Sequence, residues 1–434
     1  MVWLASRNTR IDTENAFRVG PLIAATEARG QSVVRLNFGE PDFPVPAPIV
    51  ATLKQALDGG ATRYCDPQGT PELRQAIATH VGSRRGFEVD PATVVVFPGG
   101  KPAIGLSQQV YCEPGDEVIY PSPGFPIYES FIRYVGAVPV PLHLDAGNGF
   151  SFDADALADL ITPRTRMIYL NFPSNPTGGV ASRAQIERLA AVIDARCGPD
   201  VRIFSDEIYE DILFDGAEHF SIASLPSMRS RTVIASGFSK SFAWTGGRVG
   251  YAVLPNREEA ECFRRLNINY FSCVPPYNQS AAITALESAE VWQAVSEMTR
   301  TFERRRDLVC DGVAALDGFT VQRPGGAFYL FPGIEGVCDA LDLIGFHANL
   351  PDELRLKTSP SGLFQLFALD AHGVAVLDRR AFGQIGADGH HYLRLSIAAA
   401  DETLLEGIAA LKNASSDVAG LKRFLQDGLW EAML

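Results

Sequence analysis

Residues 236–251 read Ser-Gly-Phe-Ser-Lys-Ser-Phe-Ala-Trp-Thr-Gly-Gly-Arg-Val-Gly-Tyr and set Lys240 among small and hydroxylated side chains, with Arg248 further along the same loop. An amine nucleophile and a guanidinium on one Gly-rich loop suit a small molecule with an aldehyde at one end and a phosphate at the other. A lone lysine is ordinarily a solvated charge. Here Val233-Ile234-Ala235 before it reads as a buried strand, and the glycines after it remove side-chain bulk, neither of which a surface lysine needs.

Other loops carry matching chemistry. Gly99-Gly100-Lys101 stands between a strand pattern and a helix pattern, where backbone N–H groups and the helix dipole favour an anion. By itself that pair of glycines is equally a turn. The Pro- and Gly-rich stretch 171–179 presents Asn175, whose amide can donate to a phenolic oxygen; Asn-Pro is also a common turn signal. Asp206 ends an apolar run, where a buried carboxylate needs a cationic partner such as a protonated pyridine nitrogen, or else caps the next helix. Tyr209 follows closely and could share the phenolic oxygen. Arg394 interrupts an otherwise apolar strand, placed for a bidentate grip on a carboxylate or, less interestingly, for solvent at a sheet edge. Pyridoxal 5'-phosphate has the aldehyde, phosphate, pyridine nitrogen and phenolic oxygen that these groups would meet.

The elements that must hold these residues are legible as an alternation. Strand patterns at 93–97, 116–120, 165–170, 201–205 and 232–235 are separated by helix patterns, including 103–111 and 183–196, and end in Gly/Pro loops. This predicts an α/β fold with a mainly parallel sheet sandwiched by helices, whose ligands sit at the carboxyl ends of the strands. From residue 291 the texture changes to a long charged helix (291–315) followed by segments at 320–331, 374–377 and 392–397, a smaller α+β domain. The expected division is 1–44 as a segment packing on the small domain, 45–290 as the large cofactor-binding domain, and 291–434 as the small domain. The composition of 333–362 suggests a long loop or lid. The tail beyond Ala414 spaces Leu421, Phe424, Leu425, Leu429 and Trp430 as a packing helix.

Bulk properties narrow the class. Across 434 residues the net charge is −13, leaving no basic stripe for nucleic acid. Seven scattered cysteines without a Cys-x-x-Cys pair suggest reduced thiols, and seven histidines show no metal-ligand spacing, so no metal is expected. No leader pattern and no apolar run of about 20 residues is present, which leads to the expectation of a cytoplasmic protein without a membrane span.

Taken together, Asn37-Phe38-Gly39-Glu40-Pro41-Asp42-Phe43, Tyr64 to Arg74, Gly99-Gly100-Lys101, Ser174-Asn175-Pro176-Thr177-Gly178, Asp206-Glu207-Ile208-Tyr209, Ser239-Lys240, Arg248, Gly325-Gly326-Ala327-Phe328-Tyr329 and Arg394 occur in an order that resembles the fold-type I pyridoxal-phosphate aminotransferases of class I/II, over roughly residues 30–410. The resemblance implies that Lys240 carries the cofactor as a Schiff base and moves the substrate Cα proton. It implies that Asp206 pairs with the pyridine nitrogen and that Asn175 and Tyr209 meet the phenolic oxygen. Gly99, Gly100, Lys101, Ser239 and Arg248 would surround the phosphate, and Phe125 would stack on the ring. Gly39, Asn175 and Arg394 would hold the substrate, and Tyr64 would reach the phosphate of a neighbouring subunit in a homodimer. The implied reaction is ping-pong transfer of an amino group between an L-amino acid and a 2-oxo acid, 2-oxoglutarate being one partner. A lyase acting on Cα or Cβ, such as a C–S β-lyase, would use the same cradle, whereas a DNA-binding regulator lacks room for its basic module. Four departures stand out: Leu377-Asp378-Arg379-Arg380-Ala381-Phe382-Gly383 in place of Pro-Gly-x-x-Phe-Gly, Gly247 where many relatives carry Trp, a long stretch at 333–372, and the tail. Acidic, aromatic or arogenate-type substrates are favoured through Lys101, with Arg379 and Arg380 as alternative receivers of a second carboxylate.

Overall fold

The structure, a computed structural model, describes residues 3–12 and 15–434. Its large sheet has seven strands, which run across the sheet as Val94–Phe97, Gly250–Val253, Thr232–Gly237, Arg202–Asp206, Thr165–Asn171, Glu117–Ser122 and Val138–His143. From Thr232–Gly237 to Val138–His143 every pairing is parallel, and Gly250–Val253 runs antiparallel to both of its neighbours. Val94–Phe97 and Thr232–Gly237 are buried along their whole length, which is why they read as unbroken apolar runs rather than alternating ones.

The helix patterns fall where expected, with sharper ends. Lys101–Tyr111 opens at Gly100 without a side-chain cap, whereas Arg183–Arg196 opens on a reciprocal capping box between Ser182 and Gln185. The strand Val138–His143 is absent from the expectations above because Pro139 and Pro141 mask its signal. At the sheet edge their missing N–H groups cost no ladder hydrogen bond.

In the C-terminal part, Leu393–Ser396 lies between Leu377–Asp378 and Tyr329–Leu330, antiparallel to both. Val34–Arg35 pairs in parallel with Val374–Ala375, and Leu36 enters the apolar core of the C-terminal part. The long charged helix spans Ala289–Ala314 and buries Phe302, Val309 and Val313.

The stretch read as a loop or lid is neither. Glu335–Ala340, Leu343–Ala348 and Asp352–Arg355 are short helices, and Pro360 opens a helix that ends at His372. Val337, Cys338 and Leu343 are buried in the same core as Leu363 and Phe364. The Gly, Pro, Ser and Asp that suggested a loop cap and separate these helices instead of forming one span. The tail packs as a shorter helix than expected, Val418–Gln426, which buries Leu421 and Phe424; Gly428, at φ +66°, breaks it, and the buried Trp430 stands on a separate 3-10 turn, Leu429–Met433, with the side chain of Leu429 outside the described set. Among the described residues no helix is long and apolar enough to cross a membrane.

Candidate functional site

Four of the buried strands end at one cavity of about 420 Å³, and the N-terminal segment and the C-terminal strands close it. Thr165–Asn171 delivers Asn171, Arg202–Asp206 delivers Asp206, Thr232–Gly237 leads into Ser239 and Lys240, and Val94–Phe97 leads into Gly100 and Lys101. Gly39 comes from the N-terminal segment, and Arg394 from the strand Leu393–Ser396. Separate loops therefore converge because a parallel sheet places all its carboxyl ends on one side.

Lys240 is half-buried, and its Nζ donates to the Gly39 carbonyl at 2.5 Å and lies 5.7 Å from the Phe328 ring centre. A side chain at Gly39 would run into the Tyr329 hydroxyl, so this position needs to be bare. Asp206 is buried, and that burial lifts its carboxyl to about 6 despite the hydrogen bond that the Tyr128 hydroxyl donates to Oδ2 at 2.6 Å. The Asn171 amide steadies the same strand end by donating to the Asp206 carbonyl at 3.2 Å, and its oxygen accepts from the Asn175 N–H at 3.0 Å.

The Asn175 side-chain oxygen accepts from Arg394 Nη1 at 3.1 Å, and Arg394 Nη2 donates to the Asn37 carbonyl at 2.5 Å. Arg394 is buried, not edge-exposed, with its guanidinium 4.6 Å from the Tyr329 ring and 4.9 Å from the Phe382 ring. The Tyr209 and Tyr329 hydroxyls meet at 2.8 Å, and burial pushes the Tyr209 phenol well up.

A second cationic pole lies at the Gly-rich end. Arg248, at φ +50°, donates to the carbonyls of Thr245 (2.8 Å) and Pro98 (3.2 Å). Among the described residues no carboxylate is within ion-pair distance of it. Beside it Gly100 and Lys101 begin a helix whose first N–H groups have no side-chain cap. Gly99, at φ +94°, does not line the cavity; a Cβ there would occupy the space of the Arg248 guanidinium. Lys101 lines the cavity with its Nζ 5.9 Å from the Phe125 ring, which itself sits edge-on to Tyr128. Any side chain at Gly247 would strike Trp244, whose buried indole fills that volume.

One expectation comes out differently. Arg379 and Arg380 do not face the cavity: Arg379 donates to the Ser122 hydroxyl and the Gly383 carbonyl, while Arg380 is taken up by the carbonyls of Thr358 and Leu356. Tyr64 is 88% exposed and stays out of this chain's own cavity. Tyr128 and Tyr329 carry no role in the expectations above; Tyr128 lies three residues beyond Phe125, and Tyr329 closes the Gly325–Tyr329 motif, spacings that draw attention to both.

Behind Asp206, and pointing away from the cavity, lies a buried ion cluster. Arg85 donates to Glu207 (3.1 Å) and Glu210 (2.8 Å), His219 lies 3.1 Å from Glu207, and the Ser205 and Ser221 hydroxyls donate to Glu207 at 2.7 and 2.5 Å. Burial alone would lift Glu207, but Arg85 and His219 hold it well below the usual carboxylate range. Burial would lower His219, and the Glu207 carboxylate outweighs it and raises the imidazole. Glu207, Glu210 and His219 have metal-like spacing, yet Arg85 supplies the positive charge there.

Comparison with known proteins matches residues 31–411 to the family described as "Aminotransferase class I and II". An aspartate aminotransferase of Rhizobium meliloti is 33% identical over 411 residues, covering 94% of this chain and 95% of that protein. The arginine–pyruvate transaminase AruH of Pseudomonas aeruginosa is 37% identical over 398 residues, with 90% and 92% covered. The crystal structure of the Rhizobium meliloti aspartate aminotransferase superposes with a TM-score of 0.84 at 32% identity, over 96% of this chain and 99% of that one. The Thermus thermophilus aspartate aminotransferase with maleate gives 0.83 at 31% identity, with 95% and 100% covered.

Proposed function

Since the chain belongs to the class I and II aminotransferases, we propose that it transfers an amino group between an L-amino acid and a 2-oxo acid, using pyridoxal 5'-phosphate held at Lys240 and 2-oxoglutarate as one partner. The reading rests on one observation above all: Lys240, Asp206, Arg248 and Arg394 line a single cavity, so an amine, a buried carboxylate and two guanidinium groups face one small molecule.

The residues present fit the cofactor. Arg248 engages only carbonyls, and the helix that follows Gly100 has no side-chain cap, so a phosphate would gain a charge-assisted partner and a helix N-terminus, with Ser239 beside them. Gly99, having no Cβ, leaves the room that the Arg248 guanidinium occupies. Asp206, lifted by burial, would regain its charge beside a protonated ring nitrogen. Asn175 and Tyr209, which line the cavity, would meet the phenolic oxygen, and Phe125 would face the ring.

When bound, the cofactor supplies an electron sink for the bonds at the substrate Cα. Lys240 would anchor the cofactor, and its amine, once released from that bond, would take up the proton that the substrate Cα loses. Arg394, with the Gly39 backbone and Asn175, fixes the α-carboxylate and so decides which Cα bond is presented. The donor leaves as a 2-oxo acid, and a second 2-oxo acid follows the same path in reverse, a ping-pong order.

Acidic or aromatic donors are the proposed class, because the Lys101 ammonium lines the cavity near the Phe125 ring. Tyr64, turned away from its own cavity, would complete that of a second copy in a homodimer. A spectral screen tests the reading: the protein, incubated with each L-amino acid, should convert to the aminated cofactor, and 2-oxoglutarate should restore the starting spectrum. Release of pyruvate from a cysteine conjugate with no oxo-acid acceptor would instead identify a lyase.

A further inference from the structure

Two walls of the cavity come from different parts of the fold. Phe125 follows Glu117–Ser122 of the large sheet, whereas Arg394 stands on a strand of the C-terminal sheet. That strand pairs Leu377 with Arg394 and Asp378 with Leu393, and the pairing continues as Arg379 N–H donates to the Tyr392 carbonyl at 3.0 Å. Arg379 is therefore tied in register to the arginine that the proposed function gives to the α-carboxylate.

Its side chain goes the other way. Nη2 donates to the Ser122 hydroxyl at 3.0 Å, at the end of the strand leading to Phe125, and Nη1 donates to the Gly383 carbonyl at 2.8 Å. Two backbone contacts follow the same seam: Gly124 N–H donates to the Phe382 carbonyl at 2.9 Å, and Gln384 N–H donates to Glu129 at 3.1 Å. Gly383 sits at φ +112°, where a Cβ would press on the Ser122 hydroxyl at 3.1 Å and on Glu129 at 3.4 Å, so the two parts are in close contact. Phe382, carried between these contacts, lies 4.9 Å from the Arg394 guanidinium.

Arg379 is 3% exposed, and among the described residues no carboxylate lies within ion-pair distance of it. Burial pulls its guanidinium down to about 10, against the weaker pull of Asp378, Tyr120, Glu129 and Tyr392. Glu129 is already engaged by Arg133 at 2.8 Å and by the Tyr120 hydroxyl at 2.9 Å, and Asp378 by Ser361 at 2.6 Å. Burying a guanidinium without a countercharge is costly, and an apolar side chain would fill the same space more cheaply. What an apolar side chain could not do is reach Ser122 and Gly383 together.

We propose that Arg379 is a positioning residue that locks the strand of Arg394 to the loop of Phe125, so that the carboxylate grip and the ring-facing wall keep one relative placement. The role rests on the aminotransferase reading of the site.

The test uses Arg379→Gln, Arg379→Lys and Ser122→Ala in the full-length, cofactor-loaded protein. Two quantities are read: the KM and kcat for the amino donor, and the dissociation constant of α-methylaspartate, which has no Cα proton to lose. Arg379→Gln should raise both KM and that dissociation constant about tenfold while kcat stays within about threefold, the loss expected for one charge-assisted hydrogen bond. Arg379→Lys should recover part of the loss. Ser122→Ala should reproduce part of it, and the double variant Ser122→Ala/Arg379→Gln should be no worse than Arg379→Gln alone. An unchanged KM and dissociation constant in Arg379→Gln, or multiplied losses in the double variant, would overturn the role. If Arg379→Gln does not fold, Ser122→Ala decides: wild-type values overturn the proposal. A wild-type chain that takes up no cofactor would overturn the functional reading itself, a result distinct from an active wild type with indifferent variants.

Discussion

Tyr128 donates its phenolic hydrogen to Oδ2 of Asp206 at 2.6 Å, and Tyr128 in turn stacks on Tyr169 with ring centres 4.7 Å apart. The phenol thereby helps to set the rotation of a carboxylate that lines the cavity. Tyr128→Phe removes a bond that favours the charged form, so the Asp206 carboxyl should rise above its present value of about 6. Cofactor affinity should fall by about three- to thirtyfold, the worth of one hydrogen bond to a charged group, as measured by equilibrium dialysis. Its acid limb should move to higher pH.

Asp206 also links stability to pH. Its ordinary value is 3.8 and its folded value about 6. Between the two the folded apoprotein keeps a proton that the unfolded chain has released, so stability falls as pH rises through this window and the loss is complete above about pH 6. Asp206→Asn escapes that loss. The apoprotein of this variant should be more stable than wild type at pH 8, by on the order of 3 kcal/mol, and should have no advantage near pH 4. Urea unfolding at the two pH values measures the difference, and the same variant should bind the cofactor far more weakly.

Lys240→Ala should abolish the visible absorbance of the purified protein and lower transamination by at least about a thousandfold. Lys240→Arg keeps the positive charge near Asp206 but cannot form the covalent attachment, and should be equally inactive. A fully active Lys240→Ala variant would refute the mechanism.

Arg394→Lys retains the charge but loses the two-sided fit to Asn175 and Asn37. Its KM for amino donors should rise about ten- to hundredfold, with a smaller effect on kcat. Arg394→Gln should be worse on the same steady-state measurement.

The ion cluster behind Asp206 should matter for stability rather than for substrate choice. Glu207→Gln leaves Arg85 and His219 buried with half their countercharge gone, a change that costs about 3–5 kcal/mol. Thermal unfolding should register it as a lower Tm with little change in KM.

The parallel α/β frame was legible in the sequence, and so were several charged residues that line the cavity. Lys240, Asp206 and Arg394 were legible because each is a charged group at the end of, or inside, an apolar run, a placement that physical chemistry penalises without a partner. Tyr128 was not, since a tyrosine on a helix looks like any core aromatic until Asp206 is seen beside it. The edge strand Val138–His143 was hidden by prolines whose cost depends on the absence of an outer neighbour, which only the assembled sheet supplies. The helices after Gly333 were missed because helix caps and loops use the same residue types. Arg379 and Arg380 looked available to a substrate because composition does not distinguish an arginine facing a cavity from one consumed by carbonyls.

Phe346 and Trp430 meet edge-to-face with ring centres 6.0 Å apart, and the Trp430 N–H donates to the Leu425 carbonyl at 3.3 Å. One ring belongs to the long stretch after Gly333 and the other to the C-terminal tail, so these two lengths of chain shelter each other. Trimming either would strand the other's aromatic face in water. An affinity tag is therefore better placed at the opposite terminus.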